Sequence, residues 1–548
     1  MEGETPGRPF SWRRLVAIAA IPALLIALGM GLGGTRGELW LGQNYDPSYL
    51  YLFGALRLAE GEATSFVDHP GVPVQLLGAG VLRLRHLVAG EGALRAAVLA
   101  NPESALRAVT TVLFGLQVLV CLFAGAAVLK RTGSLIRAVL TQSSALLSTT
   151  LVTNLLFFKA EALLASLILL ATAIVVLLAE ARAESRGLVR MLAVLLGLAI
   201  ASKITAAPFL LLLLLGPRRL VVRLEAMAIA IATLAAATLP WCHGMERFLG
   251  YVGRLAFKRG MYGRGESGLE SPQQLWLGLG RLVEREPLLI ATLVVGAVVW
   301  MVRGRFQPGQ GSEDRGRWLA ALVLGSAALL IFAAKQPNSR FVVPALAAVG
   351  PILALCFGDR AALGARRSAG WIALGIGLLV LPGRDTLRTE QRWRQLAAEG
   401  RSAWATAERA RAEGAAVVPY FWASSPAMAL WLGNRANEFH YAAELDLLHP
   451  GFVMFDVWRW AYRPFSGEMN RAQDLPSRAL LLLHGKRFEP DGSLGSISIH
   501  NERSFLPPFE RVLPGEELEP VWLGVAEAIY RPRNDSGSAM AAGESGAN

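Results

Sequence analysis

Apolar runs of membrane length, separated by short polar segments, dominate the chain, and their order predicts most of its architecture. The first runs from Leu15 to Gly33. Others span Leu106 to Leu129, Leu135 to Leu156, Ala162 to Ala179, Leu224 to Pro240, Pro287 to Val302, Trp318 to Ala333, Phe341 to Phe357 and Trp371 to Leu381. Leu188 to Ala201 and Ile204 to Gly216 are each short for a hydrocarbon core of roughly 30 Å, which takes about 20 helical residues. They meet at Ser202-Lys203 and predict two short helices whose tip holds Lys203. The expectation is an α-helical polytopic membrane protein of about eleven transmembrane helices.

Two further helices fall between the first two spans. Asp46 suits an N-cap and Pro47 the first helical position, so a helix is expected from Pro47 to about Ala59. Tyr49, Leu52, Phe53 and Leu56 share its apolar face and Ser48 and Arg57 its polar one, the pattern of a helix lying in the membrane interface. Gly71 to Val88 is apolar but contains Arg83, Arg85 and His86, and predicts a juxtamembrane or re-entrant helix. After Gly383 the pattern changes. Thr386 to Ala412 is charged with helical period, Ala415 to Tyr420, Ala479 to Leu483 and Pro520 to Ala526 read as strands, and Pro426 to Gly433 as a short helix. Alternating strands and helices predict an α/β domain. The expected organisation is a membrane module over 1–383, an α/β domain over 384–533, and a Gly/Ala/Ser-rich, disordered tail over 534–548.

Composition agrees: 53% of the 548 residues are hydrophobic and 18% charged, too apolar for a soluble protein of this length. The net charge of +12 resides largely in arginines of short loops between spans, which follows the positive-inside rule and argues against a nucleic-acid partner. Arg8, Arg13 and Arg14 before the first span place the N-terminus in the cytoplasm. Without a convincing cleavage site, the first helix is expected to stay in place. Parity then puts the loop after Asn44 and everything beyond Gly383 on the outer side of a bacterial-type cytoplasmic membrane. The cysteines Cys121, Cys242 and Cys356 form neither a disulfide nor a metal pattern.

Chemistry concentrates in the stretch Asn44 to Gln75, which packs Asp46, Asp68, His69 and several aromatic residues between apolar segments. The outer loops also hold Glu161 and the cations Lys159, Lys203, Arg247, Lys258, Lys335 and Arg340. Cations on this side run against the positive-inside rule and call for an anionic partner, with lipid headgroups as the plain alternative. Each residue has a structural reading as well: Asp46 as a cap, Asp68-His69-Pro70 as a turn, Glu161 as a carboxylate favoured at a helix N-terminus, and His243 after Trp241 as an interfacial helix ending. Tyr51 and the tryptophans Trp422, Trp431, Trp458 and Trp460 read as packing or as sugar-stacking groups. Lys203 stands apart, since a lysine within an apolar segment is costly and points to function.

Taken in order, five stretches resemble the GT-C superfamily of polyprenyl-phosphate-dependent glycosyltransferases, near its protein mannosyltransferase and lipid A aminoarabinose transferase branch. They are Y-D-P-S-Y in the first outer loop, D-H-P-G-V-P where the family often has H-P-P-L, and F-K-A-E opening the fourth span. G-L-A-I-A-S-K-I-T follows where the family often has G-L-A-x-x-T-K, and K-Q-P-N-S-R-F-V-V-P where it often has R-Y-x-x-P. The resemblance covers roughly residues 10 to 383. It implies Asp46 as general base and Glu161 as a second acid of the acceptor or donor site, with Asp68 and His69 at the position where relatives orient the donor or bind a metal. Among the outer-side residues themselves, Lys203 and Arg340, with Lys258 or Lys335, are expected around the donor phosphate, and Tyr49, Asp68, His69 and His243 in positioning. The resemblance implies a polyprenyl-phosphate sugar as donor and a lipid, glycan or protein as acceptor. A divalent metal ion, with Asp68 and His69 as its ligands, is left open. Two departures stand out: Pro47 follows Asp46 where many relatives carry a second acid, and Gly71 replaces the second proline.

The physical logic suits an inverting transfer. A polyprenyl-phosphate leaving group needs cations, while the acceptor hydroxyl needs a carboxylate as its proton departs. A transporter or flippase of a lipid-linked sugar is the main alternative, since broken helices and an intramembrane lysine fit it too.

Overall fold

The computed structural model describes residues 12–41, 45–67, 70–90, 92–181, 184–243, 245–259, 265–306, 310–357, 365–419, 423–456 and 461–466, and the strand segments 479–484, 486–488, 494–496, 518–523 and 527–532. These residues form two compact units. The first takes the described residues of Met1–Gly37, Pro47–Trp393 and Ala436–Glu438, and the second those of Glu38–Asp46, Arg394–Arg435 and Phe439–Asn548.

The first unit is a helical bundle. Its elements begin with α1 (Trp12–Arg36), α2 (Tyr45–Glu60), α3 (Val72–Ala89), α4 (Leu94–Ala100), α5 (Pro102–Thr132), α6 (Leu135–Ser143) and α7 (Thr149–Asn154). Then come α8 (Ala160–Ala179), α9 (Arg186–Ser202), a 3₁₀ segment (Ile204–Leu210), α10 (Leu211–Leu215), α11 (Leu220–Thr238), α12 (Met245–Phe257), α13 (Pro272–Arg285) and α14 (Pro287–Phe306). The bundle continues with α15 (Gln310–Ala334), a 3₁₀ turn (Ser339–Val342), α16 (Val343–Phe357) and the first part of α17 (Ala365–Ala412).

Among the described residues, six helices are long and apolar enough to cross a membrane. A seventh span results if α13 and α14, which meet at 102°, count as one broken helix. The apolar stretch of α8 is 89% buried, that of α11 only 17%. A helix that is apolar all round and buried belongs to the middle of a bundle, whereas an exposed apolar face belongs against lipid. Helix α8 therefore forms the centre, packed by α5, α9, α15 and α16.

The span expected from Leu135 to Leu156 is instead two short helices, α6 and α7. The Ser144 hydroxyl accepts the Gly350 amide of α16 at 2.8 Å, and Ser148 caps α7 by accepting the Thr150 amide at 3.1 Å. These serines offer the backbone partners that end a helix. Gly350 allows the close approach, because a Cβ there would lie 2.1 Å from the Leu140 carbonyl oxygen. The span expected from Trp371 to Leu381 lies in α17, which continues past Gly383 to Ala412.

In the second unit, the C-terminal part of α17 packs Ala403 and Ala407 against Val417 and Ala423. The strands β1 (Ala416–Pro419), β4 (Ala479–His484), β8 (Glu527–Pro532) and β7 (Leu518–Leu523) form one sheet in the order β1-β4-β8-β7, where β1 and β4 are parallel and the other pairs antiparallel. Two short hairpins, β2 (Met454–Asp456) with β3 (Ala461–Arg463) and β5 (Lys486–Phe488) with β6 (Leu494–Ser496), accompany it. Helices α18 (Pro426–Ala436) and α19 (Ala442–Leu448) complete the unit. Trp431 is fully buried and donates its indole N–H to the Pro464 carbonyl at 3.1 Å.

Candidate functional site

Two helix ends in the first unit create a buried charge pair. Helix α8 starts after Lys159, whose backbone is extended (φ −157°, ψ 163°), so Glu161 falls in its first turn, where the helix dipole favours a carboxylate. Helix α9 stops at Ser202 because Lys203 is itself extended (φ −160°, ψ 128°), although its amide still reaches the Ala199 carbonyl at 2.8 Å. The break falls at the residue expected, and it delivers the Lys203 ammonium to the Glu161 carboxylate. Glu161 is 4% exposed and Lys203 1%. Neither charge is tolerable alone at such burial, so each needs the other.

Further cations surround the pair. Arg340 and Lys159 both act on Glu161 electrostatically, and Arg340 acts on Lys203. Lys203 Nζ lies 5.0 Å from the centre of the Phe341 ring, and the Arg340 guanidinium lies 5.1 Å from the same ring. Each is a cation–π distance. The backbone turn carrying Arg340 is set by Asn338, whose side-chain oxygen accepts the Arg340 amide at 3.1 Å. Lys159 Nζ lies 4.6 Å from the Phe157 ring, which the Arg36 guanidinium approaches to 5.1 Å.

The stretch following Asp46 packs onto this region through aromatic side chains. Tyr51 is 5.1 Å from Phe66 and 5.9 Å from Phe158, the residue before Lys159. Gln75 of α3 holds the loop: it accepts the Thr64 hydroxyl at 2.7 Å and donates to the Phe66 carbonyl at 2.9 Å. Gly54 makes room, because a Cβ there would lie 1.8 Å from the Gln75 side-chain oxygen. Gly71, at the start of α3, has φ +71°. Proline is fixed near −65°, so this backbone excludes a proline at position 71.

The other expected site residues lie in several places. Asp46 is partly exposed with φ −97° and ψ 119°, so the regular helix begins at Pro47. Asp68 and His69 lie outside the described residues. Tyr49 is fully buried and donates to Glu103 of α5 at 2.9 Å; burial, then the Glu103 charge, pushes its phenol well above the ordinary range. Lys335 donates to the carbonyls of Leu255, at 2.5 Å, and Lys258, and so completes the end of α12. Burial lowers the Lys335 ammonium, opposed by Glu270. The Lys258 side chain is exposed, and so is His243, whose amide donates to the Thr64 carbonyl at 2.9 Å. Of the expected set, Glu161, Lys203 and Arg340 come together.

Sequence inspection missed Glu286, which is 8% exposed. At the sharp turn between α13 and α14, it accepts hydrogen bonds from Ser148 at 3.2 Å and Thr150 at 2.7 Å. Its one signal was a glutamate immediately before the apolar run that starts at Pro287.

No protein-family model and no curated protein matches the chain. Among solved structures, it is similar to the crystal structure of ArnT from Cupriavidus metallidurans bound to undecaprenyl phosphate, at a TM-score of 0.47 and 13% identity over 94% of this chain and 97% of that one. The apo crystal structure of the same ArnT gives 0.45 and 13% over 93% and 97%.

Proposed function

We propose that this chain is a membrane glycosyltransferase that moves a sugar from a polyprenyl-phosphate donor to a lipid, glycan or protein acceptor at the outer face of the membrane. The observation that carries it is the buried Glu161–Lys203 pair with Arg340 and Lys159 acting on it. Three cationic side chains about one carboxylate, inside an apolar bundle, suit a lipid whose headgroup is a phosphate. The ordered motifs that resemble the GT-C superfamily support the same function.

In this mechanism Lys203 and Arg340 neutralise the phosphate as the glycosidic bond breaks, so the leaving group departs as polyprenyl phosphate without a proton. Lys258 and Lys335 add positive charge at the end of α12. Asp46 takes the proton of the acceptor hydroxyl as its oxygen attacks the anomeric carbon from the opposite side, inverting it. Glu161 keeps the Lys203 ammonium charged and in place. Tyr49, Asp68, His69 and His243 belong to the positioning of donor and acceptor.

The test is sugar transfer by the purified protein in detergent, with labelled polyprenyl-phosphate sugars, a panel of acceptors, and Asp46→Asn alongside, with and without chelator. Transfer by the wild type and its loss in Asp46→Asn is the expected result, and the chelator lane decides the question of a metal. Unchanged transfer in Asp46→Asn removes Asp46 as the base. Donor binding without transfer in either protein favours the transporter or flippase, which shares the helix break at Lys203.

A further inference from the structure

The second unit holds a cavity of about 450 Å³ lined by the end of α17, β1, α18 and the turn that follows α19. Local sequence builds its walls. Helix α17 closes with the Ala415 amide on the Ala410 carbonyl at 2.9 Å and Gly414 at φ +90°, and the chain passes into β1, whose buried Val417 and Val418 form one wall. A second wall comes from the end of α19. There the His449 amide donates to the Leu445 carbonyl at 2.9 Å, and Gly451, at φ +73°, lets the Phe452 amide return to the His449 carbonyl at 3.2 Å. This turn presents His449 and Phe452 to the same cavity. Phe465 supports both rings, its centre 5.8 Å from that of His449 and 4.6 Å from that of Phe452.

A packing fault does not reach this size, because interiors hold few voids larger than a water molecule. Ligand pockets do: a volume of roughly 300 to 1,000 Å³, apolar walls and a few convergent polar groups define them. Among the described lining residues the ionisable side chains are Arg411 and His449, and none is acidic. Arg411 pairs with Glu408, one helical turn earlier, at 2.5 Å and lies 5.6 Å from the centre of the Trp404 ring. The two side chains of that pair are 44% and 45% exposed, and exposed pairs are weak. A guanidinium has five N–H donors, so a pair through one nitrogen orients Arg411 while its fork can still grip a second oxyanion. The remaining walls are apolar, and the hydroxyls of a bare sugar ring would find few partners among them. We propose that this cavity binds a small oxyanion with an apolar body, its phosphate or carboxylate held by Arg411 and His449 and its body against Val417, Val418 and Phe452. The site stands apart from the proposed sugar transfer, since every group it uses belongs to the second unit.

Phenyl phosphate and benzoate are the probes, titrated into the whole chain in detergent, with phenol, inorganic phosphate and glucose 1-phosphate as controls. Hydrogen–deuterium exchange over residues 449–453 reports the place of binding. At least one probe is expected to bind wild type and slow exchange there, and the tighter of the two identifies the oxyanion. Its Kd should weaken at least about tenfold in Arg411→Gln, the scale of one lost charged hydrogen bond. Arg411 is exposed, so this variant should melt as wild type does. Ala427→Leu fills the cavity from α18 without changing its charge and should abolish the protection. No binding to wild type, or the same Kd in Arg411→Gln, overturns the proposal. Binding that leaves exchange over 449–453 unchanged lies elsewhere and overturns the site. Phenol binding as tightly as phenyl phosphate overturns the role of the anion, and inorganic phosphate or glucose 1-phosphate binding as tightly overturns that of the apolar body.

Discussion

Glu161 and Lys203 form an ion pair between the first turn of α8 and the end of α9, and both are almost wholly buried. Removing one partner leaves the other charge uncompensated, so Lys203→Met is expected to destabilise the protein by about 3 to 5 kcal/mol. Glu161→Gln should cost a comparable amount. The double variant Glu161→Gln/Lys203→Met should be more stable than either single one, since no lone charge remains. Thermal unfolding in detergent measures all three, and a double variant worse than both singles contradicts the pairing.

Gly71 is held at φ +71°, and a Cβ there would lie 2.6 Å from the Tyr51 ring. Gly71→Ala should therefore combine a left-handed backbone cost of roughly 1–2 kcal/mol with a clash of similar size. Gly61 is a natural control, with φ +90° and nothing within 4 Å of an added Cβ. Gly61→Ala should show the backbone cost alone. Equal losses in the two variants, measured by chemical unfolding, would show that Tyr51 does not close on Gly71.

Tyr49 donates its hydroxyl to Glu103 in a buried setting. Tyr49→Phe is expected to lower stability by about 1–3 kcal/mol, because a carboxylate loses a donor. The proposed positioning role of Tyr49 adds a weaker donor affinity in the variant; an unchanged Kd would confine Tyr49 to its bond with Glu103.

His449 of the second unit is partly buried, and burial together with nearby Arg411 lowers its pKa from the ordinary 6.5. The unfolded chain then binds this proton more readily than the folded one. The contribution is fully present above pH 6.5 and is lost as pH falls toward the lower folded value. Melting temperature should fall on acidification through this window, and His449→Gln should flatten that part of the profile. An identical profile in the variant contradicts the assignment.

How far the sequence could be read depends on whether a residue's surroundings are local. Lys203 was legible because a lysine inside an apolar segment is costly wherever the chain folds. The start of the helix at Pro47 was legible because a cap and a proline act on their own turn. The break between α6 and α7 was not, since it depends on Gly350, 206 positions beyond Ser144. Glu286 was invisible for the same reason: its partner Ser148 lies 138 positions earlier. The use of Lys335 by the end of α12 was not legible either, since the Leu255 carbonyl it reaches lies 80 positions earlier. Gly71 read as a departure from a motif, whereas its left-handed backbone makes glycine the fitting residue.

The central claim is that Lys203 and Arg340 read the phosphate of a polyprenyl-phosphate lipid. Direct binding of undecaprenyl phosphate to wild type and Arg340→Gln, with phosphate-free polyprenol as competitor, tests it most directly. The predicted result is binding to wild type that is at least about tenfold weaker in Arg340→Gln and is not displaced by polyprenol. Equal affinity in the two proteins, or displacement by polyprenol as effective as by the phosphate, would contradict it.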